Sequence, residues 1–144
     1  MWTVSHTNVH AAGAGAVTFT QTDHNLVQVM PENSIPCIGG LGTLTITQND
    51  VFHITTLANG TDWLTGTATG TLVFVPDDSS LPTYTGHFTT WFNQNDNLMN
   101  GNGTFTFSVH ATGSDGSSVT YHEVAHFSVS ATGVTVSFDR PTCG

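Results

Sequence analysis

Apolar and polar residues alternate one for one along most of this chain, and almost nowhere do apolar positions recur at spacings of three and four. Period two is the pattern of a strand with one face buried, so the chain is expected to be an all-β domain. Strands are expected over residues 3–10, 16–22, 25–30, 41–48, 51–57, 67–75, 84–92, 103–111, 118–130 and 134–138. Turn residues divide them: Asn49-Asp50, Ala58-Asn59-Gly60, the stretch from Pro76-Asp77-Asp78 to Pro82, Ser114-Asp115-Gly116 and Thr132-Gly133. Residues 93–102, with five asparagines, read as a polar loop. The phrases Thr69-Gly70-Thr71, Thr85-Gly86-His87 and Gly103-Thr104-Phe105 suggest similar hairpins in a meander. The expected architecture is one antiparallel up-and-down β-barrel of eight or more strands spanning residues 1–144, with a β-sandwich as the alternative.

The last two hairpins carry enough pattern to set their registers. A three-residue loop Ser114-Asp115-Gly116, with Gly116 in the left-handed position, puts Val109 opposite Tyr121 and Phe105 opposite Ala125. A two-residue turn Thr132-Gly133 puts Val129 opposite Val136 and Phe127 opposite Phe138. One face then carries Phe105, Phe107, Val109, Tyr121, Ala125, Phe127, Val129, Val134, Val136 and Phe138, and is the expected core. Glu123 breaks that face. Arg140 shares its parity, opposite Ala125 and diagonal to Glu123 if the last strand continues. A carboxylate in a low-dielectric interior needs a partner, so an inward Glu123–Arg140 ion pair is expected. It reads either as an anchor or acid–base group in a cavity, or as a salt bridge that closes the end of a barrel.

His122-Glu123-Val124-Ala125-His126 spells H-E-x-x-H, which on a helix places two imidazoles around zinc with a carboxylate as general base. Its flanks, Val119, Tyr121, Phe127 and Val129 between hydroxyl residues, favour a strand instead. A strand separates residues four apart by roughly 13 Å, too far for one ion. A zinc metallopeptidase with His122 and His126 as ligands, Glu123 as base and Asp139 as third ligand is therefore the least favoured activity. His110, diagonal to His122 on the face away from the core, with His87 beside Trp91, forms a surface cluster of metal-ligating type that lacks a complete ligand set, so no cofactor is expected. Trp2, Trp63, Tyr84, Trp91 and Phe92 are aromatics for packing or for a ligand platform.

Charge narrows the partners. The formal net charge is −9, the chain has no lysine and Arg140 is its one strong cation, which argues against nucleic-acid and anionic-membrane partners. No apolar run approaches the roughly 18 residues of a membrane span. Cys37 and Cys143 lie outside any C-x-x-C pattern and suit a clamp. As a disulfide they close a loop of about 107 residues in an oxidising compartment; two buried free thiols are the alternative.

The span from Cys37 to Cys143 carries Val75-Pro76-Asp77-Asp78, Leu81-Pro82-Thr83-Tyr84-Thr85-Gly86, Trp91-Phe92 and Phe138-Asp139-Arg140-Pro141-Thr142-Cys143. It resembles small secreted β-proteins of actinomycetes. That resemblance implies export, a leader removed before Trp2, and a disulfide; it implies no catalytic residues. The meander and its Gly-Thr rhythm are similar, more loosely, to calycin-like and allene-oxide-cyclase-like barrels.

The expected function is binding of a small, mostly apolar ligand inside the barrel by Phe105, Phe107, Tyr121, Glu123, Phe127 and Arg140. Two alternatives stand beside it. One is a cyclase or isomerase with Glu123 as acid or base, Arg140 orienting it and Tyr121 or Tyr84 as donor. The other is an extracellular assembly or adhesion module that self-associates through its strands.

Overall fold

The computed structural model of the chain describes residues 8–12, 15–97, 100–130 and 132–144. They form one antiparallel sheet and, among the described residues, no helix. Its strands are β1 (Asn8–Ala12), β2 (Ala16–Asn33), β3 (Gly42–Leu57), β4 (Asp62–Pro76), β5 (Tyr84–Asp96), β6 (Gly101–Gly113), β7 (Ser118–Ser130) and β8 (Gly133–Cys143). They are hydrogen-bonded in chain order from β1 to β8. Among the described residues no ladder returns from β8 to β1 or β2, so the sheet is not closed into a barrel. Trp2, His6 and the first part of the strand expected at 3–10 lie outside the described residues.

The sheet is nevertheless strongly curled at one end. Cys37, in the β2–β3 connection, is bonded to Cys143 at the end of β8, with Cα atoms 5.8 Å apart. In a flat sheet the five strand steps from β3 to β8 would hold them about 24 Å apart. The inner face of the curl carries the core: Ile35 from the connection packs with Leu72, Phe74, Tyr84, Phe88, Val109, Ala111, Val119 and Tyr121. The clamp expected from the cysteines is present, and the free-thiol alternative is not.

Ten expected strands become eight because two supposed breaks lie inside strands. Asn49-Asp50 is not a turn; β3 runs straight through it. The irregularity lies across from it, where β2 pairs Asp23 with Asp50 and then Leu26 with Gln48, so that His24 and Asn25 together face Asn49. This bulge holds Asn25 at a φ of 54°, and its backbone N–H donates to Asn49 Oδ1 at 3.0 Å. An asparagine tolerates that left-handed conformation better than most residues. The Asn and Asp residues that suggest a turn therefore serve a bulge.

The Gly-Thr phrases are not hairpins either. Gly66, Gly70, Gly103 and Gly113 lie on the inner face in mid-strand or at a strand end, each directly opposite an aromatic residue: Phe92, Phe88, Phe127 and Tyr84. A Cβ on Gly70 would stand 2.9 Å from the Phe88 ring, and one on Gly66 would stand 2.7 Å from Phe92 Cε1. The rings thus lie over the bare glycine backbone of the neighbouring strand, which shields it and lets the sheet bend.

The β6–β7 register is as the pattern predicts, with Phe105 opposite Ala125 and Val109 opposite Tyr121. Gly116 closes that loop at a φ of 85°. The β7–β8 register differs. The ladder closes at Ser130–Gly133, pairing Phe127 with Val136, and an extra residue on β8 then shifts it so that Phe138 stands opposite His126. The consequence is a change of face: Asp139 now lies opposite Ala125, Arg140 opposite Val124 and Pro141 opposite Glu123. The register therefore does not carry Arg140 on the inner face beside Glu123 as expected, because one strand bulge inverts the parity of everything beyond it.

Candidate functional site

Between the bulges on β2 and β8 the registers run on from strand to strand, so inward side chains line up in rows across the curl. The row nearest the clamp is apolar, with the partly buried Leu44 followed by the buried Phe74, Tyr84 and Gly113. Phe74 is completely buried. At mid-height the row reads Asp23, Asp50, Ala68, Thr90, Phe107, Glu123 and Pro141. One step further from the clamp come Gln21, Phe52, Gly66, Phe92, Phe105, Ala125 and Asp139. Phe52, Phe92, Phe105, Phe107 and Phe127 are only half-buried, so the half of the sheet away from the clamp presents an incompletely covered aromatic wall.

The acids of the mid-height row sit at two stations. On β7, the Tyr121 hydroxyl donates to Glu123 Oε2 at 2.6 Å. Burial above all, then the bond to Glu123 and the negative charges of Glu123 and Asp139, push the Tyr121 phenol up to about 12. Tyr121 therefore stays protonated at physiological pH and acts as a donor, not as a base. On β2 and β3, Asp23 and Asp50 are directly opposed. Gln21 Nε2 donates to Asp23 Oδ2 at 2.8 Å and Gln48 Nε2 to Asp50 Oδ2 at 2.9 Å. Asp50 is only 3% exposed, and its Oδ1 has no hydrogen-bond partner. Burial, reinforced by the charge of Asp23, raises its carboxyl above the ordinary value, against the lowering effect of Gln48.

Of the residues singled out from sequence, Phe105, Phe107, Tyr121, Glu123 and Phe127 do share the inner face. Tyr84 shares it too, but in the row beside the clamp, where Ser117 Oγ donates to its hydroxyl at 3.4 Å. Asp50 escaped notice as a supposed turn residue, although the alternation Leu44, Ile46, Gln48, Asp50, Phe52 runs unbroken through it.

The outer face explains the histidines. His122 and His126 sit on strand β7, not on a helix, and each Nδ1 is hydrogen-bonded to the hydroxyl directly across the ladder: Ser108 at 2.8 Å and Thr104 at 2.9 Å. His53 pairs the same way with Thr20 at 2.9 Å, and His110 with Thr120 at 3.5 Å. Glu123 faces the opposite side of the sheet, so the H-E-x-x-H residues cannot surround one ion. His87 is directly opposite His110 in an outer groove. Among the described residues no three His, Cys, Asp or Glu side chains are placed to share a metal.

A cleft of about 660 Å³ lies over the clamped end, lined by Cys37, Ile38, Leu41, Leu81, Pro82 and Tyr84 with Asp77 and Asp78 at its rim. Its floor, Tyr84 and Val119, is part of the core. Leu41 and Leu81 stay 55% and 39% exposed. Asp78 is committed to its own turn, accepting from the Ser80 N–H and hydroxyl at 2.9 and 2.7 Å, which holds its carboxyl below the usual range. No helix of the described residues is long and apolar enough to cross a membrane. No family model, curated protein or solved structure matches the chain.

Proposed function

We propose that the protein is a secreted binding protein that holds a small, mostly apolar ligand in the cleft over its clamped end, on a curled sheet of calycin-like, barrel-forming type. The observation that carries this reading is the cleft itself: about 660 Å³, lined chiefly by apolar side chains, two of them leucines left substantially exposed. That volume is of the size small-molecule sites have, and one of its lining residues, Cys37, is pinned in place by the bridge to Cys143. A disulfide is also compatible with an extracellular setting. The reading moves the ligand from the interior to the loop end, since Leu72, Phe74 and Val109 fill the curl beneath the cleft. Nile red, a neutral apolar dye, should gain fluorescence on binding, and Leu81→Asp should abolish the gain with the fold intact by circular dichroism. Dye binding that survives Leu81→Asp would remove the cleft from consideration.

A second reading is favoured by the half-buried aromatic wall of Phe52, Phe92, Phe105, Phe107 and Phe127, which offers an apolar surface on the inner face as well. There Glu123 and Tyr121 would supply the polar contact, and Arg140, turned to the other face by the bulge, would take no part.

A further inference from the structure

We propose that the Asp23–Asp50 pair is a binding site for an organic cation, a protonated primary amine whose apolar part lies along the aromatic wall. This site is separate from the cleft and does not depend on it. Two carboxylates directly opposed across a ladder repel each other, and such pairs destabilise a sheet. Here the repulsion is built in with care: a bulge next to Asp23 sets the register, and each carboxylate has one oxygen fixed by a glutamine two residues away on its own strand. What the arrangement leaves over is Asp50 Oδ1, an acceptor removed from water and hydrogen-bonded to nothing. A buried acceptor without a donor is costly, and more so when charged. An ammonium group supplies several N–H donors and one positive charge, which meets both deficits at once.

The surroundings select the class of cation. Among the described residues the register gives the inner face only acids as charged side chains, namely Asp23, Asp50, Asp62, Asp96, Glu123 and Asp139, while it turns Arg140 to the other side. Phe52 follows Asp50 by two residues on the same face and lies 5.4 Å from Phe92, ring centre to ring centre. Aromatic faces beside a carboxylate suit an ammonium group that carries an apolar body. A hard metal ion would need six or more oxygen ligands, and among the described residues no third acidic or imidazole side chain is placed to join these two carboxylates.

The test is calorimetric titration of the intact, oxidised protein with three probes of nearly one shape: phenethylammonium, 2-phenylethanol and 3-phenylpropionate. Phenethylammonium is expected to bind at least tenfold more tightly than 2-phenylethanol, and 3-phenylpropionate not at all. Asp50→Asn and Asp23→Asn should each erase the preference, whereas Asp115→Asn, which removes one acid from an exposed turn, should leave it unchanged. Denaturation midpoints establish that each variant is folded. Equal binding of the amine and the alcohol, an amine preference untouched by Asp50→Asn, or calcium binding more tightly than the amine would overturn the assignment. Nile red bound in the cleft reports separately, so either site can fail without the other.

Discussion

The two halves of the inner face are built from the same strands and differ in how they are finished. Toward the clamp, rows of large apolar residues meet the β2–β3 connection, and a covalent bond holds the curl shut. Away from it, glycines and aromatic rings alternate, the phenylalanines stay half-exposed, and acids enter the rows. One half is therefore a core in the ordinary sense and supplies stability. The other is a wall kept open at the cost of burial, which is how a binding surface differs from a core made of similar residues.

Breaking the clamp should have the largest effect on that contrast. Cys37 and Cys143 are 106 residues apart, and for a loop of that size the chain-entropy model assigns a bridge about 4 to 5 kcal/mol. Cys37→Ala with Cys143→Ala, or reduction, should lower the free energy of unfolding by that order in a denaturant titration. A loss below about 1 kcal/mol would mean that the packing of Ile35 alone keeps the end curled.

Truncating one phenylalanine in each half comes next. Phe74→Ala at the clamped end should cost about 3–5 kcal/mol, the usual range for emptying a fully buried aromatic site. Phe105→Ala, in the half-exposed row, should cost about half as much or less. Equal losses would show that the open wall is in fact core.

The glycines sharpen the same comparison at smaller scale. A Cβ on Gly70 would press on the backbone of Gln48, 2.9 Å from its Cα, whereas one on Gly66 would meet mainly the rings of Phe92 and Phe52. Gly70→Ala should therefore destabilise by roughly 1–3 kcal/mol, and Gly66→Ala by less because rings can shift. In a double-mutant cycle, Phe92→Leu should relieve Gly66→Ala but leave Gly70→Ala unchanged.

The charged pair gives a prediction of opposite sign. Asp50 binds its proton more tightly in the folded chain than in the unfolded one, since burial raises its carboxyl above the ordinary 3.8. Its stabilising contribution is thus fully present below about that pH and is lost as pH rises through the raised value. Asp50→Asn, which cannot ionise, should be more stable than the parent protein at pH 7 and no more stable at pH 3. Parallel stability curves for the two proteins across that window would show that burial does not disfavour the charged form.

The legible part of this molecule was what a period of two can carry. Alternation identified the sheet, placed the H-E-x-x-H residues on a strand, and, with a three-residue loop to anchor it, set every pair between β6 and β7. Bulges defeated the rest, because they are made by the same Asn, Asp and Gly residues that make turns. At Asn25 a bulge imitated a strand break and concealed Asp50; on β8 a single extra residue turned Arg140 to the other face and Asp139 inward. The inner-face glycines misled for a related reason: a glycine that accommodates a ring from the next strand looks, in sequence, like a glycine that permits a turn.

Tyr121 stands on the seam between the two halves, and the smallest effect expected is the most informative about where that seam lies. Its ring belongs to the core cluster, 6.1 Å from Phe107, while its hydroxyl serves Glu123 in the mid-height row. Tyr121→Phe keeps the ring and removes the donor, so it should cost about 1 kcal/mol at neutral pH, the worth of one hydrogen bond. The folded phenol titrates at about 12 against an ordinary 10.0, so its contribution is complete below pH 10 and disappears as pH rises through 12. The parent protein should lose stability across that alkaline window and the variant should lose less, with absorbance at 295 nm reporting the ionisation. If the variant instead lost several kcal/mol at neutral pH, the hydroxyl would be holding the clamped core together, and the boundary between core and wall would have to be drawn beyond Glu123.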